Sequence, residues 1–209
     1  MNGIVTLGIK KHDMAGEQGQ GTPAREYFMT TPRLGFGLWD KDRDAGLAQS
    51  LWGDLRVMKL LSGPTGYSAA DVAERLAREV RNQTELGMCY WPLFLRTTGA
   101  FVGCCGLKPG KEGRLEVGYQ LRPEFWGRGL AKEATRAAIE RAFTVHGVAE
   151  LQGIHHPDNA ASGNVLKAFG FRPVGTEYYP PTGRMHIFYV LPRSEFVVPP
   201  PYRGPGADA

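Results

Sequence analysis

Residues 115–131 (LEVGYQLRPEFWGRGLA) constrain this chain more than any other stretch. An apolar-alternating run breaks at a proline, passes through Gly127 and Gly129, and enters a helical period. Leu130, Ala134, Ala138 and Ala142 then recur every fourth position beside Ile139 and Phe143, so residues 127–146 read as a helix that Gly147 can cap. Residues 148–155 follow as a strand, which makes a crossover unit of strand, helix and strand. The first-turn N–H groups of such a helix have no intrahelical partner and, with the positive end of the macrodipole, can bind an anion. Gly127 and Gly129 carry no Cβ to block close approach, so successive N–H groups can curl around a pyrophosphate. The other reading is that the two glycines only shape a tight strand-to-helix turn. No Gly-Lys-Ser/Thr follows and the dinucleotide fingerprint is missing, which argues against nucleoside triphosphates and NAD.

The rest of the chain fits one domain built around this unit. Residues 50–62 and 69–85 carry apolar side chains at helical spacing, Val72, Leu76 and Val80 among them, and predict two amphipathic helices. Residues 92–97, 100–107 and 114–121 are short runs between Gly, Pro and charged turns, as in an antiparallel meander. A short helix over 160–168, opened by Asp158 and Asn159, and strands over 171–178 and 185–191 complete the order. Together these predict an α/β (α+β) fold with a mixed, mostly antiparallel sheet flanked by helices. Residues 1–24 are polar and Gly-rich without a period, and 193–209 are dense in Pro and Gly. They read as a flexible extension and tail around a domain at 25–192.

Composition removes several function classes. Hydrophobic residues make up 42% and charged residues 22%, ordinary globular usage. No apolar run approaches the ~20 residues that span a bilayer, and the N-terminus lacks a signal-peptide core, so a cytoplasmic protein is expected. Cys89, Cys104 and Cys105 have no metal-ligand spacing and make no secreted disulfide framework. His155 and His156, adjacent in a strand, point to opposite faces and make a poor metal pair; no metal is expected. A net charge of +4 is spread among acids, which speaks against nucleic acid yet suits a ligand carrying several phosphates.

Several segments in order carry a resemblance: TPRL, LWGDLRVMKLLSG, FVGCCGL, LEVGYQLRPEFWGRGLAKEA and NAASGNVLKAFGF. Over residues 29–191 the chain resembles the GNAT acyltransferase superfamily, in the branch of ribosomal-protein N-terminal (Rim-type) acetyltransferases. That resemblance implies a sheet splayed in the middle for its cofactor. It also implies acetyl-CoA as cosubstrate, with the backbone of Gly127, Arg128, Gly129, Leu130 and Ala131 cradling its phosphates. Trp126 stands where the wider family carries Gln or Arg. Gln120 and Leu121, at the end of the preceding strand, are expected to pair with the pantetheine arm like a further strand. The implied activity is transfer of an acetyl group to an amine, of a protein N-terminus or a small molecule. A non-catalytic acyl-CoA-binding module on the same fold is the alternative. Gly35 and Gly37 stand in LGFGLW where relatives often carry Arg, which predicts a weak strand on the acceptor side.

An amine attacks a thioester only when unprotonated, so the site needs a base and a donor for the leaving sulfur. Glu116 is the candidate base, through water, if partial burial holds it. On the exposed face of its strand it would be an ordinary polar residue. The N-x-x-S spacing of Asn159 and Ser162 matches the Rim-type branch. There Asn159 bonds the pantetheine or orders its loop, and Ser162 donates to the leaving thiolate, a role that a Tyr plays in many other members. Phe169 stands near that Tyr position, so the hydroxyl comes from elsewhere. Alternatively Asn159 is only a helix cap and Ser162 a bystander. Both a monomer and a homodimer remain open.

Overall fold

The computed structural model describes residues 25–196. The expected extension at 1–24 and most of the tail lie outside the described residues. Arg193–Glu195 is a 3-10 turn, and the Phe196 ring packs on Phe143 at 5.6 Å.

Eight strands form one sheet: β1 (Met29–Thr30), β2 (Leu34–Phe36), β3 (Tyr90–Leu95), β4 (Phe101–Pro109), β5 (Leu115–Leu121), β6 (Glu150–His155), β7 (Arg172–Tyr179) and β8 (Arg184–Pro192). Their order is β1-β2-β3-β4-β5-β6-β8-β7, and only β5 and β6 run parallel. Hairpin connections join β1 to β2, β3 to β4, β4 to β5 and β7 to β8; β2 reaches its antiparallel neighbour β3 through the helical stretch between them, β6 pairs antiparallel with β8, and β5 and β6 are joined by the crossover helix α4 (Leu130–Thr144). The centre of the sheet is apolar on both faces: Cys104, Cys105 and Leu107 of β4 have no exposed surface. α4 packs over β4 and β5 on one face, beside α5 (Ala160–Lys167). α1 (Ala45–Trp52) and α3 (Ala69–Glu85) cover the other, where the Trp52 indole reaches the Gln120 side chain.

Two expectations about elements need correction, and a third, the weak strand within LGFGLW, agrees with what is observed. The single helix over 50–62 is two, because Gly53 ends α1 and Asp54 turns extended to cap α2 (Leu55–Met58) through its bond from the Arg56 N–H. α4 begins at Leu130 rather than 127, since Gly127 and Gly129 both have positive φ and cannot belong to a right-handed helix. The strand within LGFGLW is only three residues long. Its Gly35 lies beneath the Tyr27 ring, which a Cβ would meet at 2.5 Å.

Candidate active site

The sheet opens between its two parallel strands. β5 and β6 share only the pairs Leu115↔Leu151 and Glu116↔Gln152, and then diverge. The Arg122 N–H donates to the Val102 carbonyl at 2.9 Å, so the even-numbered residues bond across to β4. By alternation, the N–H and C=O groups of Val117, Tyr119 and Leu121 face the gap. Gln120, expected to offer its backbone there, is paired with Cys104 of β4 instead, and its side-chain oxygen accepts from the Trp52 indole at 2.7 Å. Leu121 does face the gap, but its carbonyl already accepts from the Trp126 indole at 2.7 Å. Tyr119 therefore presents both its N–H and its C=O to the gap, and Leu121 its N–H.

Beyond β5 the chain makes a 3-10 turn, Pro123–Phe125, and enters the glycine turn. Gly127 has φ 73° and Gly129, the N-cap of α4, has φ 71°. Both lie in the left-handed region that a side chain disfavours. No side chain caps α4, and its ladder starts with the Glu133 N–H bonding the Gly129 carbonyl at 3.1 Å. The N–H groups before Glu133 are therefore outside the ladder, at the positive end of a 15-residue helix. A Cβ at Gly127 would stand in open space. This space belongs to a cleft of about 700 Å³ bordered by Gly127, Gly129, Leu130, Ala131, Trp126 and Lys59. Amide donors, an approach left clear of side chains by two glycines and a nearby cation fit a pyrophosphate.

A second cavity, of about 410 Å³, lies further along the gap and holds Glu116. The Glu116 side chain is 13% exposed, so it is not on an open face. One oxygen receives the Lys108 ammonium at 2.9 Å and the Tyr90 hydroxyl at 3.2 Å; the other receives the Gln152 amide at 3.2 Å. Tyr67, Tyr179, His156 and His186 complete its polar wall. Leu61, Tyr119, Gln120, Asn159 and Ser162 border both cavities, which therefore join at these five residues.

At that junction Asn159 caps α5, its side-chain oxygen accepting the Ser162 N–H at 3.1 Å. The cap holds Ser162 toward β5. The Tyr119 hydroxyl lies 2.8 Å from the Ser162 carbonyl and 3.1 Å from its Oγ. When the tyrosine donates to the carbonyl, the serine proton is left to point at Tyr119 or into the gap. Burial raises the Tyr119 pKa, so its proton stays in place at neutral pH. Glu116 and Tyr119, at odd spacing in one strand, face opposite sides of the sheet. They meet one space only because the strands part. Phe169 is buried in the core and offers no hydroxyl.

Sequence reasoning did not single out Tyr119 or Lys108. Tyr119 shares the parity of Leu115, Val117 and Leu121, so its signal was that of a core residue. Other candidates are structural. His155 Nδ1 lies 2.7 Å from the His156 carbonyl and Nε2 3.2 Å from the Tyr189 hydroxyl. His186, beside His156, has its pKa lowered to about 4, chiefly by burial. The three cysteines are free and buried, with pKa values raised by burial. Among the described residues no cluster of His, Cys, Asp or Glu is arranged to hold a metal, and no helix is long and apolar enough to cross a membrane.

Known proteins share this architecture. The sequence is similar to the uncharacterized protein YkkB of Bacillus subtilis, 31% identical over 134 residues, 62% of this chain and 77% of that protein. It is also similar to the uncharacterized N-acetyltransferase p20 of Bacillus licheniformis, 25% identical over 71% of this chain and 85% of the relative. The fold matches a ribosomal-protein-S5-alanine acetyltransferase from Vibrio fischeri with a TM-score of 0.64 at 18% identity, covering 81% of this chain and 98% of that one. Residues 33–172, which include the split sheet, the glycine turn and α5, match the profile of the acetyltransferase (GNAT) domain, and the chain belongs to that family.

Proposed function

We propose that the protein transfers the acetyl group of acetyl-CoA directly to an amine, of a protein N-terminus or a small molecule. The observation that carries this reading is the junction of two cavities, one edged by the glycine turn and the other by a part-buried carboxylate. In it the amides from Gly127 to Ala131 hold the donor's phosphates, and the β5 edge at Tyr119 and Leu121 receives the pantetheine, beside the Gln120 side chain. Asn159 keeps the N-terminus of α5 turned to the gap. Glu116 takes the amine proton through water, and Ser162 donates to the departing sulfur. The likeness of fold to an enzyme named for ribosomal protein S5 favours a protein N-terminus among the acceptors.

Acetyl-CoA turnover against a panel of peptide N-termini, amino acids and polyamines is the test, with free thiol as readout. Gly129→Glu, which places bulk and negative charge at the phosphates, is expected to abolish coenzyme A binding in calorimetry. Glu116→Gln is expected to lower the rate at neutral pH while the cofactor still binds. Unchanged affinity in Gly129→Glu overturns the cleft assignment. Binding without turnover of any acceptor gives the second reading, a non-catalytic acyl-CoA-binding module.

A further inference from the structure

The TPRL segment, residues 31–34, lies about a hundred residues before α4, yet its hydrogen bonds end on the phosphate turn. The Thr31 hydroxyl donates to Glu133 Oε1 at 2.6 Å, and the Arg33 N–H to the same oxygen at 2.8 Å. Arg33 Nε donates to Glu133 Oε2 at 2.6 Å, while Arg33 Nη1 reaches past it to the Arg128 carbonyl at 2.9 Å. The segment is itself braced, because Arg96 Nη1 donates to the Thr31 carbonyl at 3.1 Å.

Two consequences follow from elementary chemistry. Glu133 is the acid in the first turn of α4, where it suits the macrodipole but would repel a pyrophosphate bound at the same end. Three donors draw both of its oxygens to the β1–β2 turn, and the guanidinium balances their charge. The second consequence concerns direction. In a trans peptide the C=O and N–H point opposite ways, so an Arg128 carbonyl fixed on Arg33 aims the Gly129 N–H away from Arg33. Gly129 borders the cleft, whose lining includes neither Arg33 nor Arg128. A glycine backbone could otherwise let that peptide turn over and present a carbonyl to the phosphates.

We propose that Arg33, with Thr31 and Glu133, is the positioning device of the phosphate turn, holding the Arg128–Gly129 peptide with its N–H toward the donor's pyrophosphate. The proposal rests on the assignment of coenzyme A to this cleft. The planar fork of arginine is essential to it, since one group must serve a carboxylate and a carbonyl together.

The experiment compares acetyl-CoA with S-acetylpantetheine, which carries the same thioester and no phosphate, in the full chain and in Arg33→Ala and Arg33→Lys. Lysine keeps a cation for Glu133 without the fork, so it tests the geometry in a protein whose ion pair persists. From the strength of charge-assisted hydrogen bonds, KM for acetyl-CoA is expected to rise roughly ten-fold in both variants. KM for S-acetylpantetheine and for the acceptor should stay at the parent value. A general loss of structure would raise both donors' KM together, and that outcome, or no change with either donor, overturns the proposal. Calorimetry with coenzyme A separates the two layers. If Gly129→Glu alone loses binding and Arg33→Lys binds like the parent, only the positioning role falls. If Gly129→Glu also binds normally, the cleft assignment falls first.

Discussion

At the scale of single residues, the contact between Tyr119 and Ser162 sets the sharpest question about the chemistry. The tyrosine hydroxyl reaches both the carbonyl and the hydroxyl of Ser162, so it can orient the serine without touching the sulfur. General-acid assistance is typically worth 10²–10⁴ in rate, and Ser162→Ala is expected to lower kcat by about 100-fold with little change in KM for acetyl-CoA. Tyr119→Phe should lower kcat less, because the serine proton survives. If the tyrosine acts through the serine, the double variant is no slower than Ser162→Ala alone. Losses that multiply in the double variant would make Tyr119 the donor in its own right. Such a role could not be read from β5 as a string of letters, where alternation places Tyr119 among core positions. Which hydroxyl meets Ser162 is decided by how α5 lies over the strand.

Among the elements, α3 shows how an amphipathic helix can carry charge into the core. Val72, Leu76 and Val80 announce an amphipathic helix, and a capping box between Ser68 and Asp71 starts it where the sequence predicts. Arg75 and Glu79, four apart, are buried and joined at 2.6 Å, with the guanidinium 4.9 Å from the Trp52 ring centre and 5.5 Å from that of Tyr90. Glu79 also accepts the Tyr90 N–H at 2.9 Å, which ties α3 to the start of β3. Removing one partner of such a pair leaves an uncompensated charge, so Arg75→Leu is expected to cost about 3–5 kcal/mol in urea unfolding. The double change with Glu79→Leu should recover part of that, though not all, since the Tyr90 amide loses its acceptor. A cost under about 1 kcal/mol for Arg75→Leu would mean the pair is hydrated in solution. What the sequence left unread has one physical cause. Periodicity locates α4 and the meander, but the break at Gly53 and the parting of β5 from β6 depend on packing between elements. The glycine turn was legible because its chemistry is local to the backbone.

For the whole molecule, the cavity around Glu116 leaves a mark on stability that can be read against pH. His186 is 1% exposed, stacked on Tyr179 at 4.5 Å, edge-on to His156 at 5.1 Å, and within 2.9 Å of the Thr182 hydroxyl. Burial foremost, then the neighbouring imidazoles His156 and His155, lower its pKa to about 4 from an ordinary 6.5. The unfolded chain therefore takes up a proton at this residue as pH falls through 6.5, while the folded protein resists until about 4. Stability is full above the unfolded value and declines across that window, by about 3 kcal/mol if the whole shift is expressed. Asp71, whose pKa is lowered by its bonds from Ser68, and Asp54, lowered by those from Arg56, add their losses only below their ordinary 3.8. The histidine window is thus open to separate measurement. Thermal unfolding followed between about pH 7 and pH 4.5 should show the midpoint falling by roughly 2–4 °C for each kcal/mol lost in a chain of this size. His186→Gln, which keeps a partner for Thr182 and cannot take the proton, is expected to start lower and fall less steeply. Parallel slopes in the two proteins would assign the acid sensitivity to His155 or His146, whose pKa values burial also lowers.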